Sequence, residues 1–248
     1  MTTAAPASLQ HDAIDTRETR QLAITDGEIN FLWSFIQGSV MIPETWNALL
    51  RGFGFCERHA WVHLSVEMSF RKRHFLGPVI LYRALIDKAV QAVHVPKRIG
   101  ARSLMRQLRA GGPCRLCELN IPDAAAGASS PARLDRGRDS SRLRAFAAGL
   151  ELLWRPAVCA VCAGEIGGVA SSSRCRRHLL DDMRMRRPAD LAWQRSTLQE
   201  LSGRLARYEE SFVAGADEPR DEDRAALVSS IGWCSGWRLL LALVSNGP

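Results

Sequence analysis

The sequence has no apolar stretch near the roughly 20 residues that a bilayer-spanning helix requires. The longest candidate, residues 239–244, is short and directly follows Arg238. The segment Met1–Arg20 also lacks the apolar core of a secretory signal peptide. We therefore expect no membrane association and a cytoplasmic location.

Lysine is scarce: the chain contains Lys72, Lys88 and Lys97, and all its other basic residues are arginines. The net charge is +7. A strong preference for arginine often reflects a GC-rich genome, so this charge is weak evidence for a nucleic-acid partner. The 46% hydrophobic and 24% charged residues are typical of a globular protein. At 248 residues, the chain can bury a core of ordinary size without crosslinks or metal.

Strand-like alternation of apolar and polar residues is not evident, and helical spacing recurs instead. Thr25 and Glu28 match a capping box, and Pro43 suits a first helical turn. We predict an all-α fold, an irregular helical bundle with Cys/His zinc knuckles. The predicted helices cover residues 26–40, 44–51, a stretch from 56, 79–93, a stretch after 141, one after the capping residue Asp190, and a last helix to about 244. The buried face of the 79–93 helix is expected to comprise Leu81, Leu85, Ile86, Ala89 and Val93.

Apolar residues after Asp190 recur with alternating spacings of four and three. They are Leu191, Leu198, Leu201, Leu205, Tyr208 and Phe212. This spacing predicts a helix that packs along a narrow seam. The simplest partner is the last helix of the same chain, because a dimeric coiled coil would need more heptads.

Composition also suggests the domain organisation. Residues 1–24 are expected to form a disordered tail, because they are mostly polar or small. Residues 25–248 are predicted to form a single helical metal-binding unit. Residues 121–140 have few large apolar side chains and are rich in Ala, Gly, Ser, Pro and Arg, which predicts a flexible linker.

Six of the seven cysteines fall into four short motifs, two of which also contain a histidine. These motifs are Cys56-Glu57-Arg58-His59, Cys114-Arg115-Leu116-Cys117, Cys159-Ala160-Val161-Cys162 and Cys175-Arg176-Arg177-His178. Two residues between ligands let both side chains converge on one ion at about 2.0–2.3 Å. The eight side chains suffice for two tetrahedral Cys3His sites. In a reducing compartment this usage favours metal or redox chemistry over structural disulfides.

The second half of the chain reads Cys-x2-Cys-x12-Cys-x2-His, which is a strong zinc pattern. In the first half, the Cys56/His59 pair would have to join the Cys114/Cys117 pair across a much longer stretch of chain, so this pairing is an inference. Zn²⁺ is favoured over an iron–sulfur cluster because a histidine completes each set. Four protein ligands would make each site structural, and the sequence has no His-Glu-x-x-His motif of a zinc protease.

Other interpretations of these residues stay open. A Cys-x-x-Cys pair can serve thiol-redox or thiol-transfer chemistry, although no βαβ pattern surrounds either pair. The arginines around the second site could contact nucleic-acid phosphates, or simply form a solvated basic face. His63 is either an alternative ligand or second-shell donor at the first site, or an ordinary polar helix residue. Cys234 is expected to be a small buried side chain.

The segments Gly54-Phe55-Cys56-Glu57-Arg58-His59 and Leu76-Gly77-Pro78-Val79-Ile80-Leu81-Tyr82 resemble a bacterial family catalogued as domain of unknown function 6062. The later motif Cys175-Arg176-Arg177-His178-Leu179 fits the same pattern. Members of that family carry a further Cys-x-x-Cys well before G-F-C-x-x-H, and the corresponding region of this chain, around positions 24–28, has no cysteine. Cys114 and Cys117 could replace that pair, or the first site could be degenerate. The resemblance implies a helical metal-binding protein and no particular reaction.

These observations favour a non-enzymatic zinc protein of structural, adaptor or regulatory type, with a protein as its partner. The alternatives are a thiol-redox or thiol-transfer enzyme and a zinc-dependent nucleic-acid binder.

Overall fold

The computed structural model describes residues 22–38, 42–70, 75–94, 101–121, 129–164 and 173–245. Within these ranges every regular element is a helix, which confirms the all-α prediction. The helices are α1 (Asp26–Ile36), α2 (Pro43–Gly52), α3 (Glu57–Phe70), α4 (Leu76–His94), α5 (Ala101–Leu108), α6 (Arg115–Leu119), α7 (Pro131–Arg138), α8 (Ser141–Gly149), α9 (Glu151–Trp154), α10 (Arg176–Arg184), α11 (Leu191–Glu210), α12 (Asp221–Ser235) and α13 (Arg238–Ser245).

Helix starts follow the local signals in the sequence. Thr25 Oγ1 accepts a hydrogen bond from the Glu28 backbone at 3.2 Å, and Glu28 Oε2 accepts one from the Thr25 backbone at 2.9 Å. This reciprocal capping box satisfies two backbone donors of α1. Asp190 caps α11 by accepting from the Trp193 backbone at 2.8 Å. Helix α1 ends at Ile36 and a turn follows at residues 37–38, so the predicted extension is wrong there; residues 39 and 40 lie outside the described part of the chain.

The centre of the bundle is formed by α4 and α11, which lie against each other. The predicted inner face of α4 is buried throughout. On α11, the side chains of Leu198, Leu205 and Tyr208 are almost fully buried, whereas Leu191 is exposed at the start of the helix. The periodicity therefore identifies the buried face of α11 correctly. The predicted partner, the last helix, is only part of the cover, because α4 packs on this face together with α12.

The predicted last helix is wrong as a single element, because α12 and α13 are separate helices. The break falls at Gly236, whose φ of +132° lies in a region that L side chains rarely adopt. Directly after it, the Trp237 indole lies against Gly232 and stacks on Trp154 with ring centroids 5.8 Å apart. Such an aromatic pair contributes about 0.5–1.5 kcal/mol beyond the area that it buries.

Helix α7 lies inside the stretch for which a flexible linker was predicted. It contacts α1 and α3, and Gly137 allows close packing against Ile29. The linker prediction is thus wrong for residues 131–138, where Pro131 starts a helix despite the low apolar content. Residues 122–128 lie outside the described part of the chain, as do residues 1–21 of the predicted tail. Leu22 and Ile24, at the end of that tail, are buried.

Among the helices that the structure describes, none combines the length and apolar character needed to cross a bilayer.

Candidate metal centres

Both Cys-x-x-His motifs lie at the start of a helix. Cys56 directly precedes α3, and Cys175 is the N-cap residue of α10. The histidine of each motif then lies in the first helical turn and faces back toward its cysteine. The Sγ–Nδ1 distance is 3.3 Å in both pairs, Cys56–His59 and Cys175–His178. The same backbone geometry therefore supplies half of each cluster.

The first cluster comprises Cys56, His59, Cys114 and Cys117. Cys114 is the N-cap residue of α6, and Cys117 lies within that short helix. His59 Nδ1 lies 3.5 Å from the Cys114 sulfur and 3.3 Å from the Cys117 sulfur. The sulfurs of Cys56 and Cys117 are 3.8 Å apart. The structure thus brings the two motifs together across the long gap between them.

The second cluster comprises Cys159, Cys162, Cys175 and His178. Cys159 and Cys162 lie in the turn after α9. His178 Nδ1 lies 3.3 Å from the Cys159 sulfur and 3.5 Å from the Cys162 sulfur. The sulfurs of Cys162 and Cys175 are 3.9 Å apart. In each cluster, all four candidate ligand atoms lie within 4.8 Å of one another.

These distances match a tetrahedral ion. With bonds of about 2.3 Å to sulfur and about 2.05 Å to nitrogen, tetrahedral angles place sulfurs about 3.8 Å apart and sulfur about 3.6 Å from nitrogen. The observed values are 3.8–3.9 Å and 3.3–3.5 Å, respectively. All six cysteines are free thiols, far from the roughly 2.05 Å of a disulfide. Each cluster can therefore hold a metal ion; assigning these eight residues as its ligands stays a prediction.

Each cluster contains one thiol that is already biased toward the thiolate. A hydrogen bond from Cys56 lowers the pKa of Cys114 to about 3, against the opposing effect of burial, and His59 adds to the lowering. Hydrogen bonds from Cys162 and Cys175 hold the pKa of Cys159 far below its usual range. Because the thiolate is the form that binds metal, these surroundings favour a cation at each cluster.

Glu28 positions the histidine of the first cluster. Its Oε1 lies 2.9 Å from His59 Nε2 and 2.7 Å from Arg58 Nη1. Burial alone would raise the pKa of Glu28, but hydrogen bonds from His59 and the Thr25 backbone, with the charge of Arg58, lower the pKa to about 2. The carboxylate therefore accepts from Nε2 and leaves Nδ1 free to bind an ion. Such carboxylate–histidine pairs orient metal ligands in proteins.

The residues between Cys and His in each motif connect the clusters to distant helices. Glu57 is half-buried, and this burial raises its pKa. Its Oε1 accepts from the Leu239 backbone at 2.9 Å, at the start of α13. Arg176 donates to the carbonyls of Leu108 and Cys234, at 2.9 Å each, and its guanidinium lies 4.5 Å from the ring centre of Phe53. Both motifs therefore contribute to packing between helices.

Three arginines near the second cluster form ion pairs with carboxylates of the same chain. Arg174 pairs with buried Asp182 at 2.7 Å, and Arg184 pairs with Asp181 at 2.9 Å. Arg187 lies 3.9 Å from Asp182. Asp181 and Asp182 provide this compensation. These ion pairs therefore engage three of the arginines considered for phosphate contact.

His63 is neither a ligand nor an ordinary surface residue of α3. It is 1% exposed, and its ring lies 5.2 Å from the rings of both Phe35 and Phe55. Neither ring nitrogen has a hydrogen-bond partner among the described residues. Burial lowers its pKa to about 3, so the imidazole is neutral. Cys234 is buried outside both clusters, as predicted, and burial raises its pKa to about 12.

Two residues that support the clusters could not be identified as such from the sequence. The sequence indicates Glu28 only as half of a capping box, and nothing in it links this residue to His59 on another helix. Gln194 accepts from Trp233 Nε1 at 2.9 Å and donates to the Arg174 carbonyl at 3.0 Å, just before Cys175. Gln194 is fully buried on α11, and this burial can be seen only in the fold.

Comparisons with protein-family models, with curated proteins and with solved structures each gave no match.

Proposed function

We propose that this chain is a zinc-binding helical protein whose two Cys3His sites stabilise its fold, and that it acts in a structural, adaptor or regulatory role toward a protein partner. The observation that carries this proposal is the pair of four-ligand clusters with tetrahedral spacing. Four protein ligands complete the coordination of Zn²⁺ and leave no position for a catalytic water. Three thiolates and one imidazole are donors that suit Zn²⁺, whereas magnesium and calcium prefer oxygen.

The location of the clusters supports a structural role. An ion in the first cluster would tie α6 to the start of α3, and an ion in the second would tie the turn after α9 to the start of α10. Both tied segments are short, since α6 spans only Arg115–Leu119 and Cys159 and Cys162 lie in a turn. Short segments of this kind gain order from a metal, because the energy of metal binding becomes energy of folding.

The metal content of the purified protein is the primary test. Elemental analysis should give two zinc ions per chain, and six thiols should react with a thiol reagent only after a strong chelator or denaturant is added. A thiol-redox protein would instead contain no more than one zinc and would show two fast thiols at Cys114 and Cys117. That result would overturn the structural proposal.

Cys162→Ser provides a test of the second site. We expect it to lose one zinc ion and to melt at a markedly lower temperature, because coordination there is coupled to folding. Cys234→Ala is the matched control, since Cys234 is buried outside both clusters, and it should keep both ions. An unchanged zinc content and melting temperature in Cys162→Ser would contradict the assignment.

The resemblance to the bacterial family accords with this proposal, and membership stays a prediction. A cytoplasmic location also stays a prediction; a reducing compartment would keep the six thiols available for metal.

A further inference from the structure

Most described arginines are held by partners within the protein. Ion pairs with carboxylates engage Arg58, Arg83, Arg115, Arg138, Arg155, Arg174, Arg184, Arg187, Arg204, Arg207 and Arg224. Backbone carbonyls accept hydrogen bonds from Arg136, Arg142, Arg176 and Arg195. Among the described residues, arginine side chains without such partners therefore occur only at particular places on the surface.

Helix α5 presents the densest group of arginines without such partners. Leu104 and Leu108 are buried against the bundle, whereas Arg102, Arg106 and Arg109 are exposed. The three arginines follow one another at positions i, i+4 and i+7, so they lie on one face of the helix and its continuation. Within the described ranges, none of their side chains forms a hydrogen bond or ion pair. We call these three residues the arginine face.

The chain segment that carries the arginine face contains no negative charge. No acidic residue occurs between positions 101 and 117. Arg51 lies next to this segment, since its carbonyl accepts a hydrogen bond from the Gly111 backbone at 2.8 Å, and Arg51 is exposed. Gly111 and Gly112 follow the face and are exposed, and a side chain at Gly112 would meet open space. The surface beside the arginine face is thus open enough for a large anionic ligand.

We propose that the arginine face binds the phosphate backbone of a nucleic acid. From Arg102 to Arg109 the helical rise is about 10.5 Å. One strand of duplex DNA presents about three phosphates over this length, at about 3.4 Å of axis each. Guanidinium groups suit phosphate because they donate two parallel hydrogen bonds. A membrane surface is disfavoured, because the exposed side of α5 lacks the large apolar residues that insert between lipids.

The clusters hold this surface in place. Arg176, inside the Cys175–His178 motif, donates to the Leu108 carbonyl at the end of α5 at 2.9 Å. Cys114 of the first cluster follows shortly after the arginine face. Both ends of the segment from Leu108 to Cys114 are therefore fixed by residues of the two candidate metal sites. The proposal itself needs only the position and charge of α5, so it is independent of the identity of the metal.

The test compares two triple variants of the full-length protein. One replaces Arg102, Arg106 and Arg109 with glutamine. The control replaces Arg155, Arg184 and Arg204, which are exposed or half-buried and already ion-paired. Both variants lose three positive charges, so the overall charge is matched. Binding of a fluorescent DNA duplex of random sequence is followed by anisotropy between 50 and 200 mM salt. Circular dichroism and zinc content confirm that each variant folds.

We expect the wild type and the control to bind with a log–log salt slope of about −2.7 or steeper, because three neutralised phosphates contribute about 0.9 each. Affinity should then fall about 40-fold over the salt range. The variant of the arginine face should bind at least 10-fold more weakly and with a flatter slope. Equal weakening in both triple variants would overturn the proposal, since net charge alone would then explain binding. Binding to phosphatidylserine vesicles or to an acidic protein, with none to DNA or RNA, would also overturn it.

Discussion

Replacing Glu28 with glutamine should weaken zinc binding at the first cluster selectively. The side chain keeps its size but loses the charge that holds His59 Nε2 at 2.9 Å and Arg58 at 2.7 Å. Loss of such an orienting carboxylate typically lowers metal affinity about 10–100-fold. The amide oxygen of glutamine can still accept from Nε2, so we expect the lower limit, about 10-fold. That corresponds to about 1.4 kcal/mol of binding free energy.

The assay is zinc transfer to a competing chromogenic chelator, which resolves two classes of site. Among the described residues, Glu28 bonds to Thr25, Arg58 and His59 and to no residue of the second cluster. The second site thus serves as an internal reference. In Glu28→Gln, one of the two ions should leave at about 10-fold lower chelator concentration, and the other should be unchanged.

Thr25→Ala separates this effect from damage to the helix cap. It removes the hydroxyl that accepts from the Glu28 backbone at 3.2 Å, at a cost of about 0.5–2 kcal/mol in stability. It leaves the carboxylate on His59, so zinc affinity at the first site should be nearly that of the wild type. The reasoning fails if Thr25→Ala weakens the first site as much as Glu28→Gln does, or if Glu28→Gln weakens both sites equally.

Two further predictions concern the core. His63 has a pKa of about 3 in the folded state, against about 6.5 when unfolded, so its contribution is present above pH 6.5 and is lost as the pH falls toward 3. His63→Leu should therefore lose about 2 kcal/mol less stability than the wild type between pH 7.5 and pH 5 in urea titrations, and equal losses would contradict this. Gly232→Ala should destabilise by about 1–3 kcal/mol, because its methyl group would overlap the Trp237 indole. Gly149→Ala is its matched control: it meets open space and should gain about 0.4–1 kcal/mol, and similar melting temperatures for the two alanine variants would refute the packing argument.

The sequence alone predicted the features that depend on local spacing. Two-residue gaps between Cys and His identified both motifs, and Thr25 and Asp190 identified the starts of α1 and α11. In each case the interacting atoms are close together along the chain, so the backbone itself dictates their geometry. The presence of α4 and its buried face followed from apolar periodicity for the same reason.

Features that depend on distant contacts could not be predicted in this way. Periodicity shows which face of α11 is buried, but not that α4 covers it. At the break, Glu57 from the start of α3 lies against Gly236 and accepts a hydrogen bond from the Leu239 backbone, a contact that local sequence does not reveal. The pairing of Glu28 with His59 likewise needs α1 and α3 to be adjacent.

The two clusters differ in how much chain each one closes. The second joins motifs across the short stretch from Cys162 to Cys175, whereas the first joins motifs across the much longer stretch from His59 to Cys114. Loop-closure entropy grows as about (3/2)RT ln n, so the first closure costs about 1.3 kcal/mol more. During folding, the short loop should therefore close before the long one. The second cluster would then be able to bind metal before the two halves of the first cluster have come together.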